Sequence, residues 1–237
     1  PLWGPTVMYF ATSSTAPAKG PFKATGHNFA IPAKYESATA KSDINRIGNG
    51  YYTTTLPNVE GAKKLGVLTL TRTDDGFAAA ALPVSLAQKD PAIAPGEKAP
   101  AIDTPTGTTP AELEKIDTRR PHDDMHEVSL KDALKQNKPI VLVFATPKLC
   151  ASRVCAPVTD VAYAVKGEVG DRAIFIHNEI YEDNDLNKGV LGQVKKFGLP
   201  SEPFTFVIGR DGRVVQQLQG PFDMNELRAA IEQAEKS

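Results

Sequence analysis

Cysteine, tryptophan and histidine are all scarce in this chain, with two, one and four copies in 237 residues. Two cysteines are too few for a disulfide scaffold but enough for a single piece of thiol chemistry. No apolar run approaches the roughly 20 residues needed to span a bilayer. The longest, PIVLVFA from Pro139, has the length of a strand. A formal net charge of -1, with no basic cluster bearing interleaved aromatics, excludes an electrostatic case for nucleic acid or an anionic membrane surface. Apolar content of 41% and charged content of 23% are those of an ordinary globular chain. The chain begins at Pro1 rather than at a methionine. A removed upstream segment is therefore expected, whether a signal peptide, a lipid anchor or a stretch cut away in cloning.

What is present divides near the middle. Up to residue 90 the chain is rich in Thr, Ala, Gly and Pro and carries short alternating segments. GVLTLTRT (66–73) has the period-two pattern of a half-buried strand, DDG supplies a turn, and FAAAALPVSL (77–86) reads as the returning strand. YYTTTL from Tyr51 is a further strand. Short strands with turn signals between them predict an all-β domain over residues 1–90, an immunoglobulin-like sandwich. The stretch from Lys89 to Pro110 holds five prolines and two glycines in 22 residues, which no helix or central strand sustains. Residues 91–122 are read as an interdomain linker, with one helical turn over Ala111–Ile116.

From residue 123 helix and strand patterns alternate. SLKDALKQN has Ser129 as its expected N-cap. PIVLVFA is the apolar run of a strand buried on both faces. A helix over about 151–169, a strand in RAIFIHNEI and a helix closing at Gly198 follow. A hairpin around Arg210-Asp211-Gly212 comes next, and then a helix with the Asp223…Glu226 capping-box arrangement. The order α-β-α-β-α-β-β-α predicts a mixed α/β sheet over residues 123–237.

Both cysteines lie in FATPKLCASRVCAPVTD, between the first of those strands and the helix after it. Residues five apart in a regular helix have Cα atoms about 8.6 Å apart, beyond the roughly 7 Å that a disulfide tolerates. A Cys150–Cys155 bond therefore requires Cys150 to lie in the loop above the helix and Cys155 in its first turns. Helix N-terminal N–H groups, with Lys148 and Arg153 nearby, favour a nucleophilic thiolate at Cys150 and a resolving role for Cys155.

The strand–loop–helix corner resembles the thioredoxin superfamily. Two further landmarks support the resemblance: APVTD after Cys155, and SEPFTFVIGRDGRV, where Pro203 occupies the position of that family's cis-proline. The resemblance covers about residues 123–237 and implies a thioredoxin-like fold. It also implies a catalytic pair, Cys150 and Cys155, with Glu202 and Pro203 shaping the substrate groove. Four departures stand out: C-x-x-x-x-C spacing, Leu149 before the first cysteine, Leu142 in place of a buried acid, and Glu202 before Pro203. The N-terminal half resembles the β-sandwich modules that precede such domains in bacterial envelope proteins.

The reading that follows is an extracytoplasmic thiol–disulfide oxidoreductase acting on a protein client or redox partner, with no cofactor and no metal. The alternative is a non-catalytic binding or structural module in which the same bond is a permanent staple. A copper site made from both thiolates and a distal His177 is a lesser reading. So is a peroxiredoxin arrangement centred on Cys155 with Ser152 and Pro147. YEDNDLNKG (181–189) lacks the ligand spacing of a calcium loop. HDDMH (122–126) has residues that could bind a metal, but it is read as a polar cluster at the domain entry, with Asp123 and Asp124 as linker residues.

Overall fold

The computed structural model describes residues 4–87 and 89–237. It combines an all-β unit with a mixed α/β unit. The two are Pro1–Asn28 with Gly50–Asp90, and Phe29–Asn49 with Pro91–Ser237.

The first unit contains β1 (Thr6–Ala11), β2 (Lys19–Lys23), β3 (Thr25–His27), β4 (Tyr51–Thr53), β5 (Lys64–Thr73) and β6 (Gly76–Ser85). Four of them form an antiparallel sheet in the order β2-β1-β5-β6, and β3 and β4 form a separate antiparallel ribbon. The β5–β6 hairpin turns where expected, at Asp74-Asp75, with Thr73 opposite Gly76. Phe10, Leu65 and Thr6 are buried, and Phe10 stacks on Phe22 at 5.6 Å. Edge strand β6 is exposed along nearly its whole length, Phe77 and Leu82 included.

The second unit begins with α1 (Ala38–Ile47), capped by the Ser37 hydroxyl, which accepts from the Ala40 N–H. It continues with α2 (Pro110–Ile116), α3 (Leu130–Ala133), β7 (Ile140–Phe144) and α4 (Cys155–Val169). Then come β8 (Ile174–Asn178), α5 (Gly192–Phe197), β9 (Phe204–Ile208), β10 (Val214–Gln219) and α6 (Met224–Ala234). From α3 onward the order is the alternation read from the sequence. The sheet runs β10-β9-β7-β8, with β7 parallel to β8 and both β7–β9 and β9–β10 antiparallel. β7 and β9 are buried at every residue, as strands between two covered faces must be, and Thr205 alone interrupts their apolar runs. One face packs Phe144, Phe197 and Phe206 with ring centroids 4.8–6.2 Å apart.

Three details depart from the sequence reading. Residues 29–49, expected within the N-terminal sandwich, belong to the second unit. Asp160 of α4 explains the attachment, because one carboxylate oxygen accepts from the Ser37 N–H at 2.6 Å and the other from Arg119 Nε at 2.8 Å. Arg119 also donates to the carbonyls of Tyr35 and Pro121. Residues 91–122, read as a linker, lie within the second unit. Ala92 and Ala99 join its core, residues 96–99 pair with the β10 edge, and Asp117, Thr118 and Arg119 are buried. Ser129 does not cap α3 with its side chain. Its hydroxyl accepts from the Thr104 N–H, while Thr104 Oγ1 accepts from the Leu130 N–H, so the cap comes from 26 residues upstream.

Candidate functional site

β7 delivers the chain to the corner at Ala145, and α4 leaves it at Cys155. The intervening loop is closed by Leu149 N–H donating to the Thr146 carbonyl and Arg153 N–H donating to that of Cys150. Cys155 is the first residue of α4, and Cys150 lies outside the helix with its Cα 6.0 Å away, bonded through sulfur. Pro157 falls in the first helical turn, where its missing N–H has no intrahelical partner to lose. Cys155 is fully buried, whereas Cys150 is half-buried with Sγ 3.2 Å from the Ser152 hydroxyl. An approaching thiolate therefore meets Cys150 first.

Glu202 closes the other side of this corner. The Glu202–Pro203 peptide bond is cis and leads directly into β9. A Glu202 carboxylate oxygen and both sulfurs lie within 4.8 Å of one another. The carboxylate accepts from the Thr146 N–H at 2.8 Å and from the Tyr181 hydroxyl at 3.4 Å. Burial pushes the Glu202 carboxyl above the ordinary range, against the lowering effect of those two donors. All four site residues read from the sequence thus come together. Arg153 does not reinforce the positive field there, since its guanidinium lies 3.4 Å from Asp43.

His177 lies at the same end of the sheet but away from the sulfurs, bonded through its two ring nitrogens to Asp123 and to the Ala145 carbonyl, at 3.0 Å each. Both partners are acceptors, so the ring carries two N–H groups while Asp123 is ionised. Burial alone would push this imidazole down, but Asp123, with further help from Asp117 and Glu179, carries it up to about 10. Asp123 is held well below its usual value by the same pairing, which outweighs its burial. His126 packs its ring 5.0 Å from that of His177, and burial and the neighbouring cation lower it to about 3. Burial pushes Asp117 up, and carries Glu179 up to about 7.

The sequence reading missed this cluster. It assigned Asp123 to a linker and passed over Asp117, Arg119, Asp160 and Glu179. Only HDDMH hinted at it, because the partners lie up to 60 residues apart in the chain, as His177 and Asp117 do. The 181–189 loop is tied locally, by Lys188 to Asp183 and by Asp185 capping the Asn187 N–H. No helix among the described residues is long and apolar enough to cross a membrane.

Comparison of the chain with protein-family models and with curated proteins returned no match.

Proposed function

We propose that the second unit is a thioredoxin-like domain that exchanges thiols and disulfides with a protein client outside the cytoplasm, carried beside an immunoglobulin-like N-terminal module. The observation that carries this reading is the asymmetry of the bond: an accessible sulfur in a loop, joined to a buried one at a helix N-terminus. Cys150 is the nucleophile of the reduced form. Its thiolate attacks a client disulfide, one client sulfur leaves as a thiolate, and a mixed disulfide forms. The Cys155 thiolate then attacks Cys150 Sγ, which releases the second client sulfur and regenerates the bond with both electrons passed to the client. Pro203 and Glu202 form the wall against which the client chain lies.

Glu202 tunes this cycle. As an anion it disfavours a second negative charge on either sulfur and raises both thiol pKa values. As a neutral acid it lacks that effect. Insulin reduction by the chain, with a dithiol as electron source, tests the proposal. Turnover that is lost in Cys150→Ser and in Cys155→Ser supports it, and absence of turnover by the unsubstituted chain overturns it.

A second reading, a permanent staple, is favoured by the placement of Glu202, because an acidic neighbour opposes thiolate formation. The two readings differ in reduction potential. A structural bond equilibrates below roughly -300 mV against glutathione, and a working one lies above that value.

A further inference from the structure

We propose that Asp117, Asp123, His126 and His177 form a binding site for one divalent transition-metal cation of the zinc class, separate from the disulfide. One ligand atom from each of the four lies within 4.8 Å of the others, and all four residues are buried. The closest approaches are His177 Nδ1 to Asp123 at 3.0 Å and His126 Nε2 to Asp123 at 3.5 Å. His126 Nε2 to Asp117 at 3.8 Å and His177 Nδ1 to Asp117 at 3.9 Å are the other two His–Asp approaches, and the two histidines face different oxygens of each carboxylate. A tetrahedral shell with bonds of about 2.0–2.1 Å places its donors about 3.3 Å apart. The His–Asp approaches bracket that value, so rotation of the carboxylates and rings brings four ligands onto one ion.

An independent observation points to a ligand. His126 is 1% exposed, and neither ring nitrogen has a hydrogen-bond partner among the described residues. Leaving a buried polar group unmatched costs on the order of 1–3 kcal/mol, and here Nε2 faces two carboxylates. A cation between them supplies the missing partner for the imidazole lone pair. His177 is already set for the same task. Its Nε2–H donates to the Ala145 carbonyl, the outer contact that fixes a ligating histidine and leaves Nδ1 for the metal. The cation then takes the place of the Nδ1 proton. Second contacts hold the carboxylates as well, since Asp117 accepts from the N–H groups of Arg119 and Asp123, and Asp123 from that of Met125. Two nitrogens and two carboxylates suit zinc or cobalt(II) better than magnesium or calcium, which take oxygen shells.

The test uses the full chain with its disulfide oxidised, so that thiolates cannot compete for the ion. The chain is exposed to cobalt(II) or zinc both folded and during refolding from denaturant. The expected result is retention of about one equivalent through gel filtration, with tetrahedral cobalt absorption and two hyperfine-shifted, exchangeable imidazole N–H signals. Magnesium is not retained. His126→Gln weakens binding by at least about 100-fold, and Cys150→Ser with Cys155→Ser leaves it unchanged. The proposal fails if neither procedure retains cobalt, if the imidazole signals are missing, or if the cysteine variant abolishes binding. Should His126→Gln not fold, the imidazole signals of the unsubstituted chain decide alone.

Discussion

The disulfide corner and the buried His/Asp cluster sit at the same end of β7 and β8, yet they are built in opposite ways. The corner is mostly local, since two cysteines five residues apart share a strand–loop–helix junction, with Glu202, Pro203 and Tyr181 added from farther along the chain. The cluster is assembled from residues 117–126 laid along the edge of β8, where the His177 N–H donates to the Met125 carbonyl. One end of the disulfide is open to solvent, while every charge in the cluster is enclosed. Local, half-exposed groups are suited to turnover. Enclosed charges commit the fold, because each depends on a partner that only the folded chain supplies.

Substitutions should separate the two accordingly. The largest stability effect is expected for Asp123→Ala, which leaves the His177 imidazolium buried without its main counter-ion. A loss of about 3–5 kcal/mol is expected by denaturant titration, with little effect on the intrinsic reactivity of Cys150 in whatever fraction stays folded. Equal stability in the variant would break the distinction between the two regions. Replacing both cysteines by serine should cost less, about 2 kcal/mol for a loop this short, while abolishing exchange altogether. A cost well above that would move the bond toward the staple reading.

A smaller and more specific effect is expected at Glu202. The carboxyl is neutral at low pH and ionises above its ordinary value of 4.5, because burial raises it. Alkylation of the reduced chain by iodoacetamide should therefore be alike in wild type and Glu202→Gln at the acidic end. The rates should diverge as pH rises through the Glu202 titration. At neutral pH the variant should react about tenfold faster, the gain from lowering the Cys150 pKa by removing an adjacent negative charge. Parallel profiles throughout would show that Glu202 has no electrostatic hold on the sulfurs.

Asp160 provides the stability counterpart. Burial pushes it up to about 6, although Arg119 and the Ser37 N–H pull it down. Its folded value lies above the ordinary 3.8, so the folded chain holds the proton more tightly. The stabilisation is full below about pH 4 and is lost as pH rises through about 6. Asp160→Asn should flatten that part of the stability profile, and an unchanged slope would assign it to other groups.

The sequence made the corner legible because its signals are local. Periodicity gave β7 and the β9–β10 hairpin, helix geometry placed Cys150 outside α4, and the Asp223 capping box forms as read. The Thr109 capping box of α2 was equally local but was overlooked. Residues 29–49 carried no such signal. The α1 segment falls inside the expected all-β domain, and what assigns it to the second unit is a carboxylate more than 100 residues away. Burial of Asp117, Asp123 and Arg119 was illegible for the same reason. Polar residues clustered around Pro121 read as loop, and only partners far along the chain convert them into enclosed charges.

The Ser37–Asp160–Arg119 contact also constrains how the chain can be divided. A fragment starting at residue 91 would keep the whole α/β sheet and both cysteines. It would also lose Tyr35 and Ser37, leaving Arg119 and Asp160 short of two of their backbone partners. During synthesis, α1 emerges long before the helix it joins, so it must wait until α4 has left the ribosome. A peptide spanning 29–49 supplied in trans should bind such a fragment. The second unit is in that sense a two-piece domain, its pieces separated along the sequence by β4–β6.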